Sequence, residues 1–230
     1  MVEKQHFHLL QVNDALFPIG GYSHSYGLET YIQKGIVKNV HDASIYITNK
    51  LKYSILYTDL FGVRLAYEYC KEKDMDKLVE LNQWTEASKV PTELRDASKK
   101  MASRFLKTVQ EIDITYDSDF FKRYTEIIGI KNLHHACLYG VFCASIHIDE
   151  LDALSHYLYN QTSAMVTTSV KTIPLSQTDG QIILTNSFML LAELLSTVMN
   201  LDTSMYGLSA PGFDIRSMQH ESLYSRIYMS

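Results

Sequence analysis

Apolar residues recur through most of this sequence at the three- and four-residue intervals that define one face of an amphipathic helix. The longest such pattern runs from Asp42, the expected N-cap, to about Lys73, with a bend expected near Gly62. Other helices are predicted at residues 4–16, 22–34, around 78–84, from 91 to about 109, from about 117, and near 131–147, 149–170 and 178–199. Turn-forming residues are scarce, with 4 prolines and 10 glycines in 230 residues, whereas sheets need frequent turns. The pattern therefore predicts an all-α, single-domain bundle of about eight to ten helices.

The helical pattern stops after Gly207. Pro211 and Gly212 come early in the remaining segment, and the aromatic and charged residues that follow them form no apolar stripe. We therefore predict a helical domain over residues 1–207 and a C-terminal tail over residues 208–230. Such tails are often disordered until something holds them, so two interpretations stay open: a disordered end and a partner-binding segment.

The charges are unevenly distributed along the chain. In total, 21 Lys and Arg oppose 26 Asp and Glu, which gives a net charge of −5, so attraction to a nucleic acid backbone is not expected. Residues 132–213 contain six acidic residues and a single cation, Lys171. These charges are too few for a solvated face on every helix of the segment, while its hydroxyl and amide side chains are too polar for lipid. Two explanations remain open: a large helical core alone, or a core together with a subunit interface.

Cysteine usage and the lack of long apolar runs indicate the compartment. Cys70, Cys137 and Cys143 are an odd number without a CxxC pair, which argues against a disulfide framework or a zinc knuckle. No window reaches the roughly 18 apolar residues of a membrane span, and the first residues lack the pattern of a signal peptide. We expect a soluble cytoplasmic protein that binds no membrane.

The common catalytic and metal-binding motifs are missing from the sequence. It contains no HExxH, GxGxxG, GxSxG or Walker lysine loop. Two histidine pairs, His6 with His8 and His134 with His135, have no Cys or carboxylate set nearby that would complete a metal site. We therefore predict no catalytic residue and no metal site.

Two acidic clusters leave one enzymatic alternative open. Residues 113–119 and 149–152 could bind magnesium with a diphosphate, as in helical prenyl-chain enzymes, although neither forms a DDxxD motif. Asp149 is better explained by the favourable interaction of acidic residues with a helix N-terminus. The most basic helix, from Pro91 to Lys107, is interleaved with acidic residues, which does not suit a DNA-binding helix. The alternatives to a partner-binding role are thus a prenyl-chain-type enzyme or another helical interaction protein.

One short segment carries polar residues that the fold alone does not require. GGYSHSYGLET combines glycines with hydroxyl and carboxyl side chains: Gly20, Gly21, Gly27, Ser23, Ser25 and Glu29. Glycines let a backbone approach a partner closely, so a functional role is expected, with helix capping by Ser23 as the competing explanation. Lys171 precedes the loop TIPLSQTDGQ. Because a buried lone ammonium is unfavourable, its amine should reach solvent, an acid or a partner.

At these segments the sequence resembles the UreF family of urease accessory proteins. The resemblance rests on LLQVNDALFPIGGYSHSYGLE, ELRDASKKM, AMVTTSVKTIPLSQTDGQ and FDIRSMQHESLYSR, which follow in order from residue 9 to residue 226. It implies an all-helical, dimeric, cytoplasmic protein that is not an enzyme. In that family, UreF joins UreD (also called UreH) and the GTPase UreG in a chaperone complex on apo-urease, and GTP hydrolysis drives nickel into the active site. The resemblance implies that the complex handles nickel and UreG binds GTP and magnesium, so no stably bound cofactor is expected here.

The resemblance also implies roles for individual residues. A surface facing the GTPase or the dimer mate would comprise Gly20, Gly21, Ser23, Ser25, Glu29, Lys171 and Gln177. A tail ordered on binding UreD would comprise Pro211, Asp214, Ser217, Met218, His220, Glu221, Tyr224 and Arg226. Tyr224 and Arg226 are the expected anchors. This chain has Tyr22 and His24 where many relatives have Phe and a second Tyr, and we assign no nickel to His24.

Overall fold

The computed structural model of the protein describes residues 4–208 and 210–230, with the backbone alone at Tyr22. The α-helices are α1 (Lys4–Asn13), α2 (Leu28–Gln33), α3 (Val40–Lys50), α4 (Phe61–Lys71), α5 (Met75–Ser88), α6 (Thr92–Glu111), α7 (Phe120–Ile128), α8 (His135–Ser145), α9 (Glu150–Thr172), α10 (Gln177–Asn186), α11 (Phe188–Val198) and α12 (Pro211–His220). A π-helical segment, Leu51–Leu60, joins α3 to α4, and short 3-10 turns cover Gly21–Ser23 and Thr203–Met205. The described ranges contain no β-strand, which confirms the predicted all-α, single-domain fold.

The long helix predicted from Asp42 to Lys73 is present, but it is irregular. α3 continues through the π-helical segment into α4. Asn39, not Asp42, is the N-cap, because its side-chain oxygen accepts a hydrogen bond of 3.0 Å from the backbone N–H of Asp42. Asp42 lies instead in the first turn, where the helix dipole favours a carboxylate. The departure from regular α-helical geometry precedes Gly62, where a bend was expected.

Helix α8 is buried along its whole length. All eleven of its residues are buried, and it packs closely against α4. Gly140 makes this approach possible, because a Cβ at that position would collide with the backbone carbonyl of Val63. This helix therefore accounts for part of the low charge of residues 132–213.

The same low-charge segment also forms an exposed apolar face. The helix predicted at 178–199 is divided into α10 and α11 at Ser187, whose hydroxyl donates to a carbonyl of the preceding turn at 2.9 Å. The outer side of this pair exposes Ile182, Phe188 and Met189. In the described part of the chain no single helix is long and apolar enough to cross a membrane. α10 and α11, which are bent by 41° at their junction, reach that length and composition only when they are taken together.

The N-terminal helices are shorter than their pattern predicts. α1 ends at Asn13 rather than at residue 16, and α2 begins only at Leu28. The loop between them contains the predicted break, and Gly20 and Gly27 have φ angles of 78° and 86°, which glycine adopts without strain. Phe17 of this loop is buried in the core, so its apolar character reflects packing and not a continued helix.

The segment after Gly207 departs most from its sequence pattern. Residues 211–220 form α12, which packs on α2 and α6. Pro211 lies in the first turn, where its missing N–H costs nothing. The buried side chains of α12 are the polar residues Ser217 and His220, so a search for an apolar stripe overlooks the helix. The expectation of an unpatterned segment is therefore wrong for residues 211–220, whereas the division into a domain and a tail at residue 208 stays a prediction.

Candidate interaction site

The tail folds back onto the glycine-rich segment that the sequence singles out, residues 20–29, which we call the glycine loop. Gly27 is needed for this approach, because a Cβ on it would lie 2.6 Å from the hydroxyl oxygen of Ser217. At Gly20, a Cβ would collide with the guanidinium group of Arg104. Glycines at these two positions therefore make room for α12 and for a side chain of α6.

Backbone hydrogen bonds join the end of the tail to the glycine loop. The carbonyl oxygen of Ser230 accepts from the N–H groups of Ser25 at 2.6 Å and Tyr26 at 3.1 Å, and from the hydroxyl of Ser25 at 2.7 Å. The N–H of Met229 donates to the carbonyl of Ser23 at 2.8 Å. The two serines predicted to face a partner thus bind the chain's own tail in this structure.

His24 adds a side-chain contact to the same region. Its Nδ1 lies 2.8 Å from the hydroxyl oxygen of Ser230. Burial lowers the pKa of His24 to about 4, and the positive charges of Lys100 and Arg104 act in the same direction. The imidazole is therefore neutral near pH 7 and contributes a hydrogen bond without a charge.

Glu29 is the principal acceptor for the tail. It is 2% exposed, and its Oε1 accepts from the N–H of Ile227 at 2.8 Å. Its Oε2 accepts from the N–H of Tyr228 at 3.1 Å and lies 3.1 Å from Nε2 of His220. A buried carboxylate is tolerated when its oxygens are hydrogen-bonded, and these three partners all belong to the tail.

Glu93 of α6 holds the other side of the same imidazole. Its Oε2 lies 2.6 Å from Nδ1 of His220, and its Oε1 accepts from the guanidinium of Arg226 at 2.6 Å. His220 is fully buried, whereas Arg226 remains partly exposed. Hydrogen bonds with an ionised partner are about twice as strong as neutral ones. We call Glu29, Glu93, His220 and Arg226 the tail clasp.

A lysine lies beneath the start of α12. The ammonium of Lys50 is 4.7 Å from the centre of the Phe213 ring, and this ring also packs against Tyr31 and Tyr46. Burial lowers the pKa of Lys50 to about 8, although the carboxylate of Asp214 acts in the opposite direction. The docked tail thus covers a cation that is poorly solvated.

The outer surface of the tail carries several apolar side chains. Six of its large apolar residues are exposed: Leu208, Ile215, Met218, Tyr224, Ile227 and Met229. The tail thus buries the polar residues Ser217 and His220 against its own domain and leaves several large apolar side chains in solvent, which an ordinary surface helix would bury. Exposed apolar patches of this kind mark interaction surfaces.

A groove of about 310 Å³ lies between α9 and residues 13–21, which lead into the glycine loop. Gly21, Lys171 and the tail residue Tyr228 are among the residues that line it. Lys171 is exposed, as expected for the only cation of its region. Gln177, also exposed, lies at the start of α10 and is not part of this lining.

The structure divides the predicted site residues by exposure. Exposed tail residues are Pro211, Met218, Glu221, Tyr224 and Arg226, whereas Asp214 is half-buried and Ser217 and His220 are buried. In the glycine loop, Gly21 and Ser23 are half-buried, and Gly20, Ser25 and Glu29 are buried. Ser25, Glu29 and His220 take part in docking the tail, whereas Gly20 lies against Arg104 of α6. The buried members are therefore not accessible to a partner while the tail is docked.

Several residues of the site were not predicted. Glu93 lies within the most basic helix, and no sequence pattern distinguishes it from the other charges there. Residues 227–230 follow the last segment that resembles the family, so they were left out of the predicted tail contacts. These roles become visible only in the folded structure. Glu93 and Arg226, for example, are 133 positions apart in sequence but form a hydrogen bond of 2.6 Å.

Two of the residues considered as metal or magnesium ligands, His134 and Asp149, have structural partners instead. Within the described ranges, no three His, Cys, Asp or Glu side chains are placed to hold a metal ion. His134 contacts Ser98 and Glu86, and Asp149 caps α9 by accepting from the N–H of Leu151 at 2.9 Å. The three cysteines are free and buried.

The fold and the site define an all-helical protein whose tail is docked on its own domain with apolar side chains turned outward, as suits a protein that acts by binding other proteins. The sequence model of the family UreF matches residues 37–187. The urease accessory protein UreF of Actinobacillus pleuropneumoniae serotype 5b (strain L20) is 35% identical over 225 residues, covering 96% of this chain and 97% of that protein. Those of A. pleuropneumoniae and of its serotype 3 (strain JL03) are each 34% identical with the same coverage.

The chain belongs to the UreF family of urease accessory proteins. This is a family of accessory proteins and not of enzymes, so the alternative of a prenyl-chain-type enzyme is wrong. The matched family region begins after Glu29 and ends before α12. Of the tail clasp, only Glu93 lies inside it.

Proposed function

We propose that this chain is a scaffold for urease maturation in the cytoplasm. It binds UreD (UreH) and the GTPase UreG on apo-urease, and GTP hydrolysis by UreG drives nickel into the urease active site. In this proposal, nickel is cargo of the complex, UreG binds GTP and magnesium, and the chain itself holds no cofactor. A scaffold of this kind raises local concentration and orients its partners without a catalytic group. The observation that carries the proposal is the group of large apolar side chains that the docked tail exposes to solvent.

UreD is the partner proposed for the tail. Tyr224 and Ile227 are the most exposed large apolar residues of this segment, and aromatic side chains are frequent binding anchors at interfaces. The clasp holds the backbone of Ile227 and the side chain of Arg226 from the inner side, which reduces the conformational entropy that this segment loses on binding. Replacing both by alanine should therefore weaken UreD binding without releasing the tail.

UreG is the partner proposed for the groove beside the glycine loop. Lys171 offers an exposed cation there, next to Gly21. Lys171→Ala should weaken UreG recruitment with little loss of helicity, whereas Lys131→Ala, at another exposed lysine, should not. An unchanged UreG pull-down with Lys171→Ala would remove this residue from the surface.

Self-association is proposed for the outer face of α10 and α11. Ile182, Phe188 and Met189 are exposed on this face, and residues 132–213 contain a single cation. Interfaces between identical subunits are depleted in charge and enriched in apolar residues of this type. We therefore propose a homodimer that buries this face.

The function is tested by co-expressing urease with all of its accessory proteins and measuring nickel per urease and urease activity. The double variant Tyr224→Ala/Ile227→Ala should lower both, while Ile127→Ala, at an exposed isoleucine of α7, should leave them unchanged. Full nickel loading by the double variant would contradict a role of the tail surface.

A further inference from the structure

The tail clasp places one imidazole between two carboxylates. Nε2 of His220 lies 3.1 Å from Oε2 of Glu29, and Nδ1 lies 2.6 Å from Oε2 of Glu93. A neutral imidazole carries one N–H and one lone pair, and an ionised carboxylate only accepts. With a single hydrogen on the ring, one of these contacts would therefore set a lone pair against a negatively charged oxygen.

We propose that docking of the tail takes up a proton, so that the tail is a proton-dependent latch on its own domain. Both contacts become hydrogen bonds only when two hydrogens are shared among Glu29, His220 and Glu93. The second hydrogen can reside on the imidazole or on a carboxyl group, and in either case these three side chains bind the same number of protons when the tail is docked. This inference concerns the chain alone and is independent of the proposed partners.

The other charged groups around Glu29, His220 and Glu93 do not supply the second hydrogen. Arg226 donates to Oε1 of Glu93 and leaves Oε2 for the imidazole. Apart from His220, the partners of the Glu29 carboxylate are the backbone N–H groups of Ile227 and Tyr228, which donate at any pH near neutrality. Lys100 and Arg104 of α6 lower the pKa of nearby His24. Their ammonium and guanidinium groups only donate hydrogen bonds, so they cannot replace a carboxylate as the acceptor for His220. The two His220 contacts are therefore the proton-dependent part of the clasp.

The sign of the effect follows from linkage between protonation and docking. In the undocked tail a solvated imidazole loses its second hydrogen above about pH 6.5. Above that pH, docking must bind one proton, so the ratio of docked to undocked tail falls by up to tenfold for each pH unit. Below it, the free imidazole is already protonated and docking is independent of pH.

Hydrogen–deuterium exchange of the full-length chain tests the latch. The N–H groups of Ile227, Tyr228 and Met229 are hydrogen-bonded only in the docked tail, so their protection reports docking. After correction for the intrinsic exchange rate at each pH, protection in the natural chain should fall tenfold or more between about pH 6.5 and about pH 8. The range ends there because Lys50, which the docked tail also covers, has a pKa of about 8 and acts in the opposite direction at higher pH. Protection that is constant over this range would overturn the proposal.

Matched substitutions distinguish the loss of proton uptake from the loss of the hydrogen bond itself. In Glu93→Gln, the amide oxygen can still accept from Arg226 while the amide nitrogen donates to a bare Nδ1 of His220, so the tail should stay docked and lose its pH dependence. His220→Gln should lose the pH dependence as well, at lower protection. His41→Gln, at an exposed histidine of α3, should keep the natural slope. A Glu93→Gln or His220→Gln tail with the natural slope would refute the proposal.

Discussion

Replacing Glu29 with alanine removes the acceptor of three hydrogen bonds that hold the tail. The carboxylate oxygens lie 2.8 Å and 3.1 Å from the backbone nitrogens of Ile227 and Tyr228, and 3.1 Å from Nε2 of His220. A hydrogen bond to a charged group contributes about 1.5–3 kcal/mol. Taking the lower value for each, because they share one carboxylate, gives about 4–5 kcal/mol. This corresponds to a roughly thousandfold lower ratio of docked to undocked tail.

The released tail can bind water, so the expected result is an open tail on an intact bundle. Limited trypsin digestion measures this, because cleavage after Arg226 requires an open tail and follows its population when opening is fast. We expect Glu29→Ala to be cleaved at this site about a hundredfold to a thousandfold faster than the natural chain. Glu80→Ala, at an exposed carboxylate of α5, should behave as the natural chain. Equal cleavage rates for Glu29→Ala and the natural chain would refute the role given to this carboxylate.

Four further predictions concern the bundle and its surface. Lys50 has a pKa of about 8, so the folded chain binds fewer protons than the unfolded chain between about pH 8 and 10.5, and the free energy of unfolding should increase as the pH rises through that range. Lys50→Met should raise the unfolding free energy at pH 7 by about 1–3 kcal/mol in urea denaturation. An unchanged unfolding free energy would contradict the burial of this ammonium. Burial lowers the pKa of His135 to about 4, so stability should decrease as the pH falls from about 6.5 to 4, and His135→Phe should lose less over this range than the natural chain. Gly140→Ala should lower the unfolding free energy by about 1–3 kcal/mol, while Gly212→Ala, where a Cβ meets nothing within 4 Å, should not. Met189→Asp should dissociate the proposed dimer in analytical ultracentrifugation, and an unchanged sedimentation coefficient would move the interface elsewhere.

The helices of the core could be predicted from the sequence because their apolar spacing directly reflects burial. α6 follows this rule, and Pro91 precedes it as its N-cap. α5 follows it only in part, because Leu78 and Leu81 are buried whereas Trp84 is exposed. α8 is the extreme case, since it is buried all round and its sequence is almost free of polar residues. The buried helix and the exposed face of α10 and α11 both lower the charge of their region, so composition alone could not separate a core from a surface.

The tail shows what such a pattern cannot predict. The inward side of α12 is formed by Ser217 and His220. The burial of His220 depends on contacts with Glu93 and Glu29, which lie far away in sequence, and Ser217 packs closely against Gly27. The family resemblance marked Glu29 and the tail as two separate surfaces, whereas the structure joins them through the carboxylate of Glu29. Gly27 indicated a close backbone approach, and only the structure identifies α12 as the element that approaches.

The central claim is that this chain serves as a scaffold whose tail recruits UreD. The most direct measurement is co-purification of UreD with the full chain and with a chain that ends at residue 207, while circular dichroism verifies that the shortened chain keeps its helices. We predict that the full chain retains UreD and that the shortened, folded chain does not. Equal recovery of UreD with the shortened chain would contradict the account.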